Sequence, residues 1–302
     1  MKTMRSVFRF GTIALLSLMM FSGARAMFFS IRGAEPFVAL DAEDGVFAPK
    51  ENPPSYWPGI YTEDETVCRV YEHGYWHVRP FVSSSTVVNV NGSECSIGFH
   101  AVAAPDAENV ADRHELCIAQ NNDPYALTLG TIRYVAFDFY VDPMTPTPRN
   151  WMLICQAWQA CESLSPPFSI HVRENASGTY PDSGHLILDF EVRDDDHAGR
   201  GDEMLAWSTE IQKGVWHHLV LGLRPSGDTN GLIEIYLNKA PWEPPDTVWN
   251  AGWGYTPRTA DPFVDSTFDV RVGVYRRKST RAFAWFADNI RFGPTRASVE
   301  YP

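Results

Sequence analysis

Between residues 66 and 292 the apolar residues come in short runs, broken every few positions by Gly, Pro, Asn or Asp. Runs this short do not build a packed helix, but they match strands whose side chains alternate between a core and an outer face. The spacing predicts strands over 66–72, 75–82, 85–90, 97–103, 113–119, 131–141, 150–158, 168–173, 185–193, 215–224, 231–238, 268–275 and 282–292. In 131–141, Val135, Phe137, Phe139 and Val141 share a side. In 231–238, Ile233, Ile235 and Leu237 face away from Glu234, Tyr236 and Asn238. No amphipathic helix longer than about three turns is visible, and 105–112 is at best a short one. This many strands with turn signals between them implies an all-β, antiparallel β-sandwich. With no internal repeat or linker, 66–302 reads as a single domain.

The ends have a different character. Residues 1–26 have a basic start, an apolar run and small residues at Ala24 and Ala26, the pattern of a cleaved signal peptide. The run is too short to span a bilayer comfortably, which takes about 20 residues. A secreted or periplasmic protein is expected, with no membrane contact after cleavage. Residues 27–65, rich in Pro and acids, read as an irregular N-terminal arm with room for one edge strand. The formal net charge is −12, and the signal would take Lys2, Arg5, Arg9 and Arg25 with it. So acidic a chain lacks the basic surface that nucleic acid requires. Cys68, Cys95, Cys117, Cys155 and Cys161 follow the signal, and Cys155 and Cys161 are close enough in sequence to close a short loop.

Three strands carry candidate chemistry. In 268–278, Val270, Val272 and Val274 face the core, which leaves Asp269, Arg271, Gly273 and Tyr275 on the other side. Arg271, Arg276, Arg277, Lys278 and Arg281 make this stretch basic in an acidic protein. Its alternative role is a solvated strand end. In 112–117, Arg113 and Glu115 share a face, either as a plain surface pair or as a guanidinium oriented toward a ligand carboxylate. In 150–161, Gln156 and Trp158 read as sharing a face with Met152 and Ile154. An amide so placed either lines a groove or is satisfied in the core, and core filler is the commoner fate of a Trp.

Taken together, RHE at 113–115, QAW at 156–158 and GVY at 273–275 resemble, in order, the R-x-E, Q-x-H and G-x-Y strands of the jelly-roll polysaccharide lyases. These are the alginate lyase, glucuronan lyase and heparin lyase I group. The resemblance extends over about 110–294, including SPPFSIHV, GVWHHLVLGLRPSGDTNGLIEIYLN and VGVYRRKSTRAFAWFADNIRFGP. It implies a concanavalin-like jelly roll that cleaves a uronic-acid polysaccharide, of the alginate or polyglucuronate type, by β-elimination. Trp158 stands where the family has His, and Cys117 where its longer first motif has a second Arg.

Elimination has three requirements. Donors must neutralise the uronate carboxylate, a base must take the C5 proton, and an acid must protonate the leaving O4. The resemblance assigns the acid to Tyr275, and the carboxylate to Gln156 and Arg113 with Glu115 orienting Arg113. Trp158, Arg271, Arg277 and Lys278 would line the substrate. In place of the missing histidine, His100, His114 and His171 are candidates. His171 shares a face with Ser169 and Arg173, away from Phe168, Ile170 and Val172. No cofactor is required. A structural Ca²⁺ would suit Asp288, or the acids Asp194, Asp195, Asp196 and Asp202, although a solvated turn also explains that acidic run. The expected partner is an anionic polysaccharide, and the expected state a monomer. Two rival classes share the scaffold. One is a non-catalytic glycan-binding module. The other is a glycoside hydrolase, which needs two carboxylates about 5 to 9 Å apart, for which Asp189 and Glu191 are the nearest pair.

Overall fold

The computed structural model describes residues 38–40, 60–62, 69–72, 75–78, 81–84, 95–101, 111–119, 125–146, 148, 151–159, 164–173, 184–196, 203–256, 266–277 and 283–300. The first sheet runs in the order β16 (Thr247–Trp249), β15 (Leu232–Leu237), β14 (Trp216–Arg224), β9 (Arg133–Val141), β18 (Phe283–Gly293), β6 (Cys95–Ala101) and β5 (Phe81–Ser84), with β1 (Val38–Leu40) also on β18. The second runs β13 (Met204–Gln212), β12 (His185–Val192), β11 (Phe168–Arg173), β10 (Met152–Gln159), β17 (Thr267–Arg277), β7 (Ala111–Ala119) and β2 (Ile60–Thr62), with β8 (Leu127–Thr128) on β17. A separate hairpin pairs β3 (Arg69–Glu72) with β4 (Tyr75–Val78). All described pairings are antiparallel.

The alternation read from the sequence explains the core. Val135, Phe137, Phe139 and Val141 of β9 meet Ile170 and Val172 of β11 and Val270, Val272 and Val274 of β17 in one buried cluster. Both sheets contribute to it, so the fold is a β-sandwich. Ile233 and Ile235 join the cluster and Leu237 packs against it. The expected signal at 1–26 lies outside the described residues. The expected arm supplies β1 and β2, one strand to each sheet. No helix among the described residues is long and apolar enough to cross a membrane.

The structure corrects the sequence reading at three points. First, the β10 register shifts between Leu153 and Cys155 against both its neighbours. Met152, Ile154, Cys155 and Ala157 all lie in the core cluster. Gln156 and Trp158 therefore do not share a face with Met152 and Ile154. A bulge inserts one residue, and every side chain beyond it changes sides. Second, β13 was not expected. As an edge strand it keeps most of its side chains at least partly in water, which erases the apolar alternation. Third, Cys155 is a free thiol buried in the core rather than one end of a disulfide loop, and its pKa is pushed up by burial first and by Glu115 second.

The four-residue helix α1 (Arg296–Val299) closes the chain and begins with a capping box between Thr295 and Ser298. Arg296 lies 3.8 Å over the Tyr236 ring and donates to the carbonyls of Ala240 and Glu243, tying α1 to the loop after β15.

His217 on β14 makes stability depend on pH. Its Nε2 bonds the Gln212 carbonyl at 2.8 Å and its Nδ1 lies 3.1 Å from the Asn238 amide nitrogen. Burial lowers its pKa below the ordinary 6.5, against the raising effect of the Gln212 carbonyl. The unfolded chain then takes up this proton first as the pH falls. The stabilisation is whole above about 6.5 and is lost as the pH drops toward the folded value. The thermal midpoint should fall between pH 7 and 5 by more in the parent than in His217→Gln. Equal falls would show that His217 does not contribute.

Candidate active site

Tyr275, Gln156 and Arg113 come from three strands that the second sheet sets side by side. Tyr275 of β17 stands opposite Leu153 of β10 on one side and Arg113 of β7 on the other. Gln156 stands opposite Arg271, and Glu115 opposite Gly273. Strand parity turns Tyr275, Gly273 and Arg271 to the outer face, because Val270, Val272 and Val274 fill the core. The Arg113 side chain and Lys278 lie outside the described residues. Arg276 has the parity of the valines and is buried, so the basic run is divided between two faces.

Under this face lies a polar cluster. The Gln156 amide nitrogen donates to Glu115 Oε1 in a short contact. Arg271 Nη1 lies 4.0 Å from Glu115 Oε2, and its Nη2 donates to Asp269 Oδ2 at 2.7 Å. The same guanidinium sits 4.7 Å from the centre of the Trp158 ring. Gln156 is only 1% exposed and Arg271 only 4%. The sequence places Arg271 on the substrate; the structure puts its head in the floor, between two carboxylates and an indole. Burial alone would lower its pKa, but Glu115, Cys117 and Asp269 outweigh that and raise it. The Gln156 carbonyl oxygen is buried with no hydrogen-bond partner among the described residues.

Two strands from Tyr275, β11 presents His171, also in register with Leu153. Its Nε2 lies 2.9 Å from Glu191 Oε2 and 3.0 Å from Ser169 Oγ. Facing a carboxylate, Nε2 is placed to donate to it. Burial would raise the Glu191 pKa, but His171 and Arg173 prevail and hold it below its ordinary value. Arg173 also pairs with Asp189 at 2.9 Å, and Ser208 donates to Asp189 at 2.6 Å. Of the two carboxylates that a glycosidase would require, Glu191 is thus held below its ordinary value, whereas the acid of such a pair needs a raised pKa, and Asp189 is paired with Arg173.

Some neighbours were hidden from sequence reasoning. Trp151, just ahead of β10, packs edge-on against Tyr275 with ring centres 4.9 Å apart. Leu153 separates Tyr275 from His171 in register. The bulge concealed both, because parity counted across it gives the wrong face. Asp288 belongs to the opposite sheet and is buried there, opposite Asp138. Its Oδ1 accepts from the Asn289 backbone, while Asp138 takes His218 and the Asn289 amide. Among the described residues no group of three His, Cys, Asp or Glu side chains is arranged to hold a metal. At the start of the acidic run, Asp194 accepts from the Asp196 backbone and Asp195 from that of Thr256, and Asp202 lies outside the described residues.

Against this geometry, a family model described as polysaccharide lyase matches residues 72–291. The fold is similar to that of an endo-β-1,4-glucuronan lyase from the fungus Trichoderma reesei, with TM-score 0.56 and 15% identity, over 87% of this chain and 98% of that one. It is also similar to that of alginate lyase A1-II′, with TM-score 0.53 and 11% identity, over 85% of this chain and 100% of that one. Among curated proteins none matches significantly.

Proposed function

The chain belongs to the polysaccharide lyase family, and from that premise we propose that it is exported and cleaves a uronic-acid polysaccharide by β-elimination. The observation that carries this reading is the row His171–Leu153–Tyr275–Arg113 across four adjacent strands. Two strand spacings separate the backbones of His171 and Tyr275, roughly 10 Å. The Leu153 side chain stands between the phenol and the imidazole in that row.

In this reading Tyr275, half-exposed at the surface, gives its proton to the departing O4. His171 stands in for the histidine that Trp158 replaces. Its Nδ1 takes the C5 proton, and Glu191 holds the ring and steadies the imidazolium. Arg113 and the remaining N–H of Gln156 meet the uronate carboxylate, so the charge that develops at C5 is delocalised onto fixed donors. Trp158 closes the floor over Arg271. The similarity of fold to lyases acting on glucuronan and alginate favours those polymers as substrates.

The deciding experiment offers alginate, polyglucuronate, heparin and chondroitin to the protein and follows the ultraviolet absorbance of the unsaturated product. Absorbance with alginate or polyglucuronate is expected. Binding without absorbance would favour the glycan-binding module instead. For His171→Ala a fall in kcat of about a hundredfold is expected. Glu191→Gln should lower kcat with little change in KM. Adding Glu191→Gln to His171→Ala should cost nothing further, since both act through one imidazole. Additive losses would remove Glu191 from this role.

A further inference from the structure

Trp151 is a large apolar side chain left 41% exposed directly beside the phenol. Its indole meets the Tyr275 ring at 73°, a T-shaped contact that leaves other parts of the indole open to solvent. Its backbone carbonyl accepts from the Arg277 amide at 3.3 Å, which sets Arg277 opposite it across β10 and β17. Parity puts Trp151, Tyr275 and Arg277 on the same outer face. Trp151 and Arg277 therefore stand opposite each other in register, on the face that carries the phenol.

The other flank differs in charge. There Arg173 is shared among Asp189 at 2.9 Å, Glu191, and Glu203 at 3.9 Å, while Arg193 pairs with Glu203 at 3.0 Å. Carboxylates surround these guanidinium groups among the described residues. A uronic-acid chain passing Tyr275 on the Trp151 side meets the exposed indole. A pyranose ring has an apolar C–H face that suits an indole, and its carboxylate suits a neighbouring cation.

We propose that Trp151 is the stacking platform of the sugar subsite next to the cleavage point, and that with Arg277 it holds the polymer in register with Tyr275. This rests on the lyase reading above. The test uses the full-length Tyr275→Phe protein, which keeps the ring contact and blocks turnover, with alginate and polyglucuronate oligomers of increasing length followed by calorimetry. Adding Trp151→Ala should weaken binding about tenfold, at low and high salt alike, because stacking is not screened. Trp151→Phe should recover most of it. Arg277→Gln should weaken binding only at low salt. In the otherwise native protein, Trp151→Ala should raise KM on the polymer by more than it lowers kcat.

If Trp151→Ala binds and turns over like its parent, the platform is refuted while the lyase reading stands. If the loss vanishes at high salt, or if Phe fails to recover binding in a protein that melts like the parent, the platform is again refuted. If the native protein gives no unsaturated product and its Tyr275→Phe form binds no oligomer, the lyase reading fails and takes this inference with it.

Discussion

Tyr275→Phe should reduce formation of unsaturated product at least about a hundredfold while leaving polysaccharide affinity nearly unchanged. The substitution removes one oxygen and its proton. The ring, its 4.9 Å contact with Trp151 and its place opposite Leu153 and Arg113 all remain. A group that acts only on the leaving O4 lowers kcat and kcat/KM together and leaves ground-state binding alone. Rates and oligomer affinities measured side by side give the answer. Retained activity would move the acid to another residue and remove the central step of the proposed elimination. A large loss of affinity with kcat intact would make Tyr275 a binding residue.

Arg271→Ala should produce the largest fall in stability. The guanidinium is buried with Asp269 at 2.7 Å, Glu115 at 4.0 Å and the Trp158 ring at 4.7 Å. Removing it takes a cation away from two buried carboxylates and opens a cavity beneath an indole. Breaking a buried ion pair from one side costs about 3–5 kcal/mol. In a domain of this size that is a fall in melting temperature of roughly 10 °C. Thermal or denaturant unfolding at neutral pH will measure it. The triple change Arg271→Met, Asp269→Asn, Glu115→Gln should recover part of the loss, because it removes the buried negative charges along with the cation. A fall of only a degree or two in Arg271→Ala would mean that water or another cation already serves those carboxylates.

The sandwich was legible in the sequence because alternation is local. Val270, Val272 and Val274 face the core for the same reason that Tyr275 and Arg271 face away from it, and both follow from a period of two. The face shared by Ser169, His171 and Arg173 followed in the same way. On β10 the method failed, because one extra residue between Leu153 and Cys155 reverses the count. Trp151 and Leu153 were thereby missed, though both stand opposite the strand that carries Tyr275. β13 escaped because an edge strand with both faces partly wet carries little apolar signal.

From its sequence alone, this protein was determined to be an all-β sandwich whose outer strand faces hold Arg113, Glu115, His171, Arg271 and Tyr275. Only the tertiary structure decided which of these are neighbours and which reach solvent. It sank Gln156 and Arg271 into the floor, set His171 on Glu191, and left Tyr275 at the surface against Trp151. The division has a physical cause. Facing is set by the backbone dihedrals of each residue in turn, whereas pairing, burial and charge neutralisation arise between strands far apart in the chain, once the hydrogen-bond register has brought them together.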